Sequence, residues 1–480
     1  MHDRKGRASS SQKPRLRAVV DWLFSRPEGL SHWLAIAIWL AALLAVQWHV
    51  SQGFIAEGNK DLTLYDQDAY LSLAKANVPF IWPAFTDGIH APLFPFLIKS
   101  WVNADQAQFF AAAKQANVWF GIGATVLLAL YFLWKLPMLP AMNVGTISAL
   151  IIAPASAFAT PEVIYYTALF FFWVVGWRLL VGNPLRSYAL AGVLCATAYL
   201  ARPSTLLLCL CLLLLSLWRW WQVHESGTED TTWLGGRFMA GAVVFYLCFL
   251  IPVLPKAYDT YQRTGDPFQN AAEYCIWMDD SAHSVALLRD FPNQRFKEWP
   301  REQQPSALNY WSKHSIGEIW QRLNDGMTAQ TENFLLGEKS IKQALRTKTR
   351  LRAVLPWRGA YPLALLLCTF LLATQSASGK SRTVADRRML WALAALGFAT
   401  YFLAISFYSP IVKGDRLILA VYIPVLFSLA MGIEYQRAER KDSLRIEIVQ
   451  LVHMLIAGHL AWSLLQLSIS SVFGTPRETI

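Results

Sequence analysis

The chain has 480 residues, is 55% hydrophobic and carries 21 Trp, 27 Phe and 17 Tyr, with a formal net charge of +11. Apolar runs of bilayer-crossing length recur along it, which excludes a water-soluble globular domain and marks an all-α polytopic membrane protein. Much of the positive charge lies in the N-terminal tail and in alternate loops, where it sets orientation, and no stripe of interleaved basic and aromatic residues argues for nucleic acid.

The opening MHDRKGRASSSQKPRLR is basic, Ser-rich and poor in apolar residues, which predicts disorder in that stretch of a cytoplasmic basic tail, 1–29. The apolar run at 30–50 is too long for a secretory signal and lacks a small-residue cleavage site after it, so it reads as a retained transmembrane helix. Further spans are expected near 110–134, 143–159, 162–180, 187–201, 203–221, 238–255, 357–375, 389–408, 416–434 and 446–470, about eleven in all. Arg202-Pro203 alone joins the fifth and sixth, so the fifth is short for a bilayer and is expected to tilt or re-enter.

The basic residues fall in alternate loops: Lys135, then Arg178 with Arg186, Arg219 with Arg237, Lys380 to Arg388, and Arg437 to Arg445. That parity places 51–108, 256–356 and 409–415 outside. The first of these is a loop of a core spanning 30–255, the second reads as a small mixed or helical extracytoplasmic domain, and 357–480 supplies the C-terminal spans. At 339–358, KSIKQALRTKTRLRAVLPWR reads as an interfacial helix with snorkelling cations, or as a dock for an anionic lipid phosphate. Cys195, Cys209, Cys211, Cys248 and Cys368 lie in apolar spans and Cys275 alone in the outer domain, so no disulfide framework or zinc cluster is expected there.

The centres of the spans are nearly free of charge, and the ionisable residues gather at the outer ends. Asp66 and Asp68 follow the first span in YDQDAYLSLAKA; Glu162 opens the fourth in TPEVIYY; Arg202 tips the turn in LARPS; Lys413 and Arg416 border the tenth in IVKGDRLI. If the helices bundle, these residues face one outer cavity. Carboxylates there can accept a hydroxyl proton or hold a divalent cation such as Mg or Mn, with Asp66 and Asp68 as its ligands, while arginines neutralise a departing phosphate. Sugar transfer from a lipid phosphate suits that set.

Each residue also has a structural role open to it. Asp66 suits the N-cap of a helix over 67–77, on which Tyr70 shares its face. Glu162 suits a helix N-terminus, and Arg202 an interface anchor beside Pro203. Lys413 is comparable to Arg416, with arginine the better phosphate partner. His90 reads as structural or interfacial rather than as a base; Tyr70, His90, Asn270 and His283 are the residues expected to contact the acceptor or line the site, and the aromatics of YFLW, WRWW and FYSP read as interface belts.

In order, these landmarks resemble the GT-C superfamily of membrane glycosyltransferases, particularly bacterial relatives of protein O-mannosyltransferases and of lipid A aminoarabinose transferase. The similarity rests on Asp66, Tyr70 and Ala74 followed by APLFPFLI, on TPEVIYYTALFFFW, on YLARPSTLLL, on TGDPFQNAAEYCIWMDD and on DRLILAVYIP. It implies a polyprenyl-phosphate sugar donor, inversion, a glycan, lipid or protein acceptor met outside the cytoplasm, and Asp66 as the first-loop catalytic carboxylate. It also implies a bacterial inner membrane with the site facing the periplasm. Gln67 departs from the pattern, which often has an acidic residue there, as does His90, where Arg is common. Two other readings remain at this stage: a ligase or polymerase of the O-antigen type using a lipid-diphosphate donor, and a lipid or sugar transporter.

Overall fold

The computed structural model describes residues 13–63, 66–182, 185–225, 231–284, 299–302, 304–336, 357–373, 382–411, 416–438 and 444–473. Lys413, the tail ahead of Lys13 and most of the 339–358 basic cluster lie outside the described residues. Among those described, every regular element is helical.

A short helix α1 (Lys13–Leu23) precedes α2 (Gly29–Gly53), and the first loop carries α3 (Gln67–Ala76) and α4 (Leu93–Ile98). There follow α5 (Gln106–Lys135), α6 (Met138–Ser156), α7 (Glu162–Val181), α8 (Leu185–Ala201), α9 (Leu206–Glu225) and α10 (Thr231–Thr264). The segment after α10 holds α11 (Ala271–Cys275), α12 (Ala307–Lys313) and α13 (Ile316–Leu336), and the chain returns to the bundle through α14 (Trp357–Ala373), α15 (Arg382–Tyr408), α16 (Leu419–Ala438) and α17 (Leu444–Phe473). Nine of these helices are long and apolar enough to cross a membrane, and α8 and α14 are shorter apolar helices, so the described elements match the eleven expected runs one for one. Several boundaries differ, among them the starts of α10 at Thr231 rather than 238 and of α15 at Arg382 rather than 389. Helix α6 starts at Met138 rather than 143, α10 continues to Thr264 rather than stopping near 255, and Arg416 sits in the turn ahead of α16 rather than inside it.

The bundle has an inner and an outer layer. Helices α6, α7 and α16 are mostly buried, whereas α2, α9, α10 and α17 leave most of their surface outward, as lipid-facing helices do. Apolar contact gains little between helices already in hydrocarbon, so close packing and buried hydrogen bonds carry the cohesion. Trp173 on α7 donates through Nε1 to Ser428 Oγ on α16 (3.1 Å), and Trp39 on α2 to Thr146 Oγ1 on α6 (3.0 Å). Phe132, Phe170 and Phe427 bring α5, α7 and α16 together with ring centroids 5.4–5.7 Å apart. Helices α8 and α10 cross so closely at Gly192 that a Cβ there would strike the carbonyl of Phe245.

The segment after α10 is seated on the bundle by Arg322 of α13. Its guanidinium donates to the carbonyls of Phe407 (2.9 Å), Met278 (2.7 Å) and Ile276 (2.9 Å) and lies over the rings of Tyr310 and Phe407. Gly326, one turn further along the same face of α13, permits backbone contact with Ser406 near the end of α15. This seat fixes the last turn of α15 beside the charged end of the bundle.

Candidate active site

Glu162, Arg202 and Arg416 come from three turns at one end of the bundle, and Asp66 from the first loop. Glu162 is the first residue of α7, where the positive end of the helix dipole favours a carboxylate. It is buried (3% exposed) and ion-pairs through Oε1 with Arg202, the extended residue between α8 and the Pro203 turn. Arg202 is held in place by its own N–H to Ala198 O and by Thr205, whose hydroxyl and N–H both donate to its carbonyl. Arg416 bridges the two acids: Nη2 donates to Asp66 Oδ2 at 2.9 Å and Nη1 stands 3.9 Å from Glu162 Oε1. The Tyr166 hydroxyl on α7 donates to the Arg416 carbonyl, which fixes that residue's backbone although no helix begins until Leu419. Alternating charge thus runs Asp66, Arg416, Glu162, Arg202 across segments up to 350 positions apart in sequence.

Asp66 does occupy the N-cap position of α3, but its side chain makes no capping hydrogen bond. Its backbone is left-handed (φ 64°), a conformation taken by no other non-glycine residue described, and this turns the carboxylate away from the helix and towards Arg416 and His90. The reading of Asp66 as a plain helix cap is therefore corrected. The side chain remains 46% exposed, so it is both anchored and open to a ligand.

His90 is more than an interfacial residue. Its Nδ1 is 2.6 Å from Asp87 Oδ2, its Nε2 is 3.9 Å from Asp66 Oδ2, and Tyr70 packs edge-on against its ring at 4.9 Å. The Asp87-Gly88 turn makes this possible: Asp87 Oδ1 accepts the N–H groups of Ile89 and His90, and Gly88 adopts φ 88°. Burial disfavours the imidazolium, but the nearby Asp66 carboxylate and the hydrogen bond and charge of Asp87 overcome it and raise the His90 pKa to about 9. Burial likewise pushes Asp66 upward, and the neighbouring His90 with the charge and hydrogen bond of Arg416 more than reverses it, leaving Asp66 well below the usual carboxylate range.

A buried amide frame supports the first loop. Gln67 is fully buried; it exchanges hydrogen bonds with Asn59 (2.9 and 2.8 Å) and accepts the N–H of Ala159 (2.8 Å) in the turn between α6 and α7. Asn117 on α5 reaches the same turn through the carbonyl of Phe158 (2.6 Å), and Lys114 donates to the carbonyl of Asn59 (3.0 Å). The residue next to Asp66 thus points into the core, so its departure from an acidic pattern leaves the polar cluster intact.

The remaining sequence candidates separate. Asp68 is exposed and its carboxylate has no hydrogen bond or ion pair among the described residues. Asn270 is nearly buried and caps α11 by accepting the N–H of Ala272 (2.8 Å), and His283 is exposed, so neither joins the cluster. Lys413 lies outside the described residues. Two residues outside the sequence candidates belong here: Asp87, which holds His90, and Tyr408 at the end of α15, within electrostatic reach of Arg416, Arg202 and Asp66. The Asp-Gly dipeptide was a signal for the former; nothing in FYSP distinguished Tyr408 from an interface aromatic. Beside Tyr408, Ser409 and Pro410 line a cavity of about 420 Å³ with Asp279, His314, Glu318, Arg322 and Asp325, in which Asp279 and His314 pair at 3.1 Å.

Among the described residues no group of three or more His, Cys, Asp or Glu side chains is placed to hold a metal ion. Asp66 is already flanked by Arg416 and a protonated His90, and Asp68 stands apart from that pair in its contacts. A donor set surrounded by cations does not fit a resident divalent cation on Asp66 and Asp68.

Neither a protein-family model nor a curated protein matches the sequence. Among solved structures, the Archaeoglobus fulgidus oligosaccharyltransferase in the apo form superposes with a TM-score of 0.47 at 11% identity, over 92% of this chain and 57% of that one. This chain therefore spans little more than half the length of that neighbour.

Proposed function

We propose that this protein is a membrane glycosyltransferase of GT-C type, moving a sugar from a polyprenyl-phosphate donor to a hydroxyl acceptor with inversion. The observation that carries the reading is the convergence of two carboxylates and two arginines, from four distant segments, at one end of an apolar bundle. Buried charges are expensive, and a purely structural pair would need neither a half-exposed Asp66 nor a left-handed backbone to aim it. The order of motifs along the sequence supports the same reading. On it the cluster faces the periplasm of a bacterial inner membrane, with the N-terminus cytoplasmic.

In the reaction the acceptor oxygen attacks the anomeric carbon as the bond from that carbon to the phosphate oxygen breaks. The phosphate leaves on the polyprenyl chain with the bonding electron pair, and the acceptor proton passes to Asp66. Arg202 and Arg416 hold the phosphate by charge-assisted hydrogen bonds that strengthen as its negative charge grows. While Arg416 grips Asp66, that carboxylate is a weak base. A donor phosphate competes for the same guanidinium, loosens the grip and returns basicity to Asp66 when the substrate is present. His90, fixed by Asp87, orients the carboxylate, and the acidic cavity beside Tyr408 gives the acceptor an approach. No step is routed through a metal.

Purified protein in lipid nanodiscs, supplied with polyprenyl-phosphate sugars and a cell-envelope extract as acceptor, should release free polyprenyl phosphate. Asp66→Asn should slow that release by at least about 100-fold, in the range removed with a positioned base. Undiminished turnover in Asp66→Asn would take this carboxylate out of the chemistry.

A further inference from the structure

A second charged region lies at the opposite end of the bundle. Arg178 stands near the C-terminal end of α7 and Glu162 at its first residue, about 24 Å apart along the helix axis at the usual rise. Around Arg178 is a cavity of about 900 Å³. Five cationic side chains line it, Arg26, Lys135, Arg178, Arg186 and Arg437, against two acidic ones, Asp386 and Glu434. Glu434 is answered by Arg437 at 2.9 Å, whereas Arg26, Lys135, Arg178 and Arg186 make no ion pair among the described residues.

These cations arrive from separate places: the turn between α1 and α2, the ends of α5, α7 and α16, and the start of α8. Setting membrane orientation needs only that basic residues be counted on one side; it does not need them gathered around one hollow against their mutual repulsion. Two further contacts build the wall. The Met138 N–H at the start of α6 donates to Ser25 O (3.0 Å), and Arg437 lies over the Phe24 ring and donates to the Phe24 carbonyl (3.3 Å), which binds the N-terminal segment across the base of the bundle. Lys135 and Arg178 both sit over the ring of Trp134, which is 59% exposed, at 3.4 and 5.5 Å. An outward Trp with cations on its face marks headgroup depth. Leu190 and Val181 continue the lining with apolar surface.

We infer that this cavity binds a phosphate oxyanion, either the headgroup of an anionic phospholipid or inorganic phosphate, on the pole opposite the candidate active site. The volume suits a headgroup with its glycerol, the guanidinium forks of Arg178 and Arg186 match phosphate oxygens, and the apolar side admits the start of an acyl chain. The site does not depend on the transferase reading.

The test is thermal unfolding of the purified full chain in detergent, titrated with short-chain phosphatidylglycerol, with phosphatidylcholine of equal chain length, and with inorganic phosphate against chloride at matched ionic strength. Phosphatidylglycerol should raise the unfolding temperature and phosphatidylcholine should not. A response to inorganic phosphate identifies the free anion as a ligand; its silence beside a phosphatidylglycerol response identifies the lipid headgroup. The half-saturating concentration should rise at least about tenfold in Arg178→Ala with Arg186→Ala, and about threefold in Arg186→Gln, a change at an exposed position that leaves the fold untouched. Both faces are accessible in detergent, so a reversed membrane orientation cannot imitate the loss. Equal responses to the two lipids with none to phosphate, or unchanged titrations in the variants, would overturn the inference.

Discussion

Asp66 combines three properties that seldom meet in one residue: a left-handed backbone, a half-exposed carboxylate, and direct contact with an arginine from the far end of the chain. The backbone supplies the aim and Arg416 with His90 supplies the hold. Because the His90 pKa is raised above its ordinary 6.5 to about 9, the stability it adds is complete below pH 6.5 and is lost as the pH rises through about 9. Asp66 and Asp87 are displaced the other way, so their contribution is present above about 3.8 and disappears as the pH falls through their lowered values. Imidazole-labelled protein should therefore show one histidine titrating near pH 9, and Asp87→Asn should move it downward. A His90 resonance titrating near 6.5 in the intact protein would show that the two carboxylates do not hold it. Arg416→Lys tests the bridge: an ammonium cannot reach both Asp66 and Glu162 as the two guanidinium nitrogens do, so donor KM should rise by about tenfold or more with the fold retained.

At the scale of elements, two kinds of contact place these side chains. One is the buried amide frame. Gln67→Ala would leave Asn59 Oδ1 and the Ala159 N–H without partners in the core, while Asn59 Nδ2 keeps the Ala157 carbonyl, at about 1–3 kcal/mol, and would release the turn that aims Asp66. Transfer activity should fall with stability in that variant, measured by reversible unfolding in mixed detergent beside turnover. The other is helix crossing. Gly192→Val on α8 must push against the backbone of α10 and should cost about 1–3 kcal/mol, whereas Gly123→Ala on α5, with no atom within 4 Å of the new Cβ, should be nearly neutral in the same assay. The spans themselves were legible in the sequence, because length and apolarity are what a bilayer demands of a helix. Their exact ends were less so: α10 keeps its helical hydrogen bonds through Lys256 and Asp259 to Thr264, past the point where the apolar run fades. The amide frame was half legible, since Asn117 is a polar residue within an apolar span, but its partner carbonyls belong to a turn no local pattern reveals.

For the whole molecule, an apolar bundle separates two charged poles: one mixing carboxylates and arginines around Asp66, the other dominated by cations around Arg178. The sequence showed which charges stand at span ends, and so named Asp66, Glu162, Arg202 and Arg416. It offered His90 as a lining residue, but it could not show that Asp87 holds that ring beside them, that Asp68 is exposed, or that Asn270 is consumed in capping α11, because those outcomes depend on a left-handed residue and on loop geometry. Native mass spectrometry of the purified protein with a polyprenyl-phosphate sugar, followed over time with acceptor, tests the central claim most directly. The unaltered protein should carry one donor lipid and convert it to the bare lipid phosphate, Asp66→Asn should carry the donor without converting it, and Arg202→Ala with Arg416→Ala should carry none. Donor retained as well by the double arginine variant as by the unaltered protein would contradict that claim.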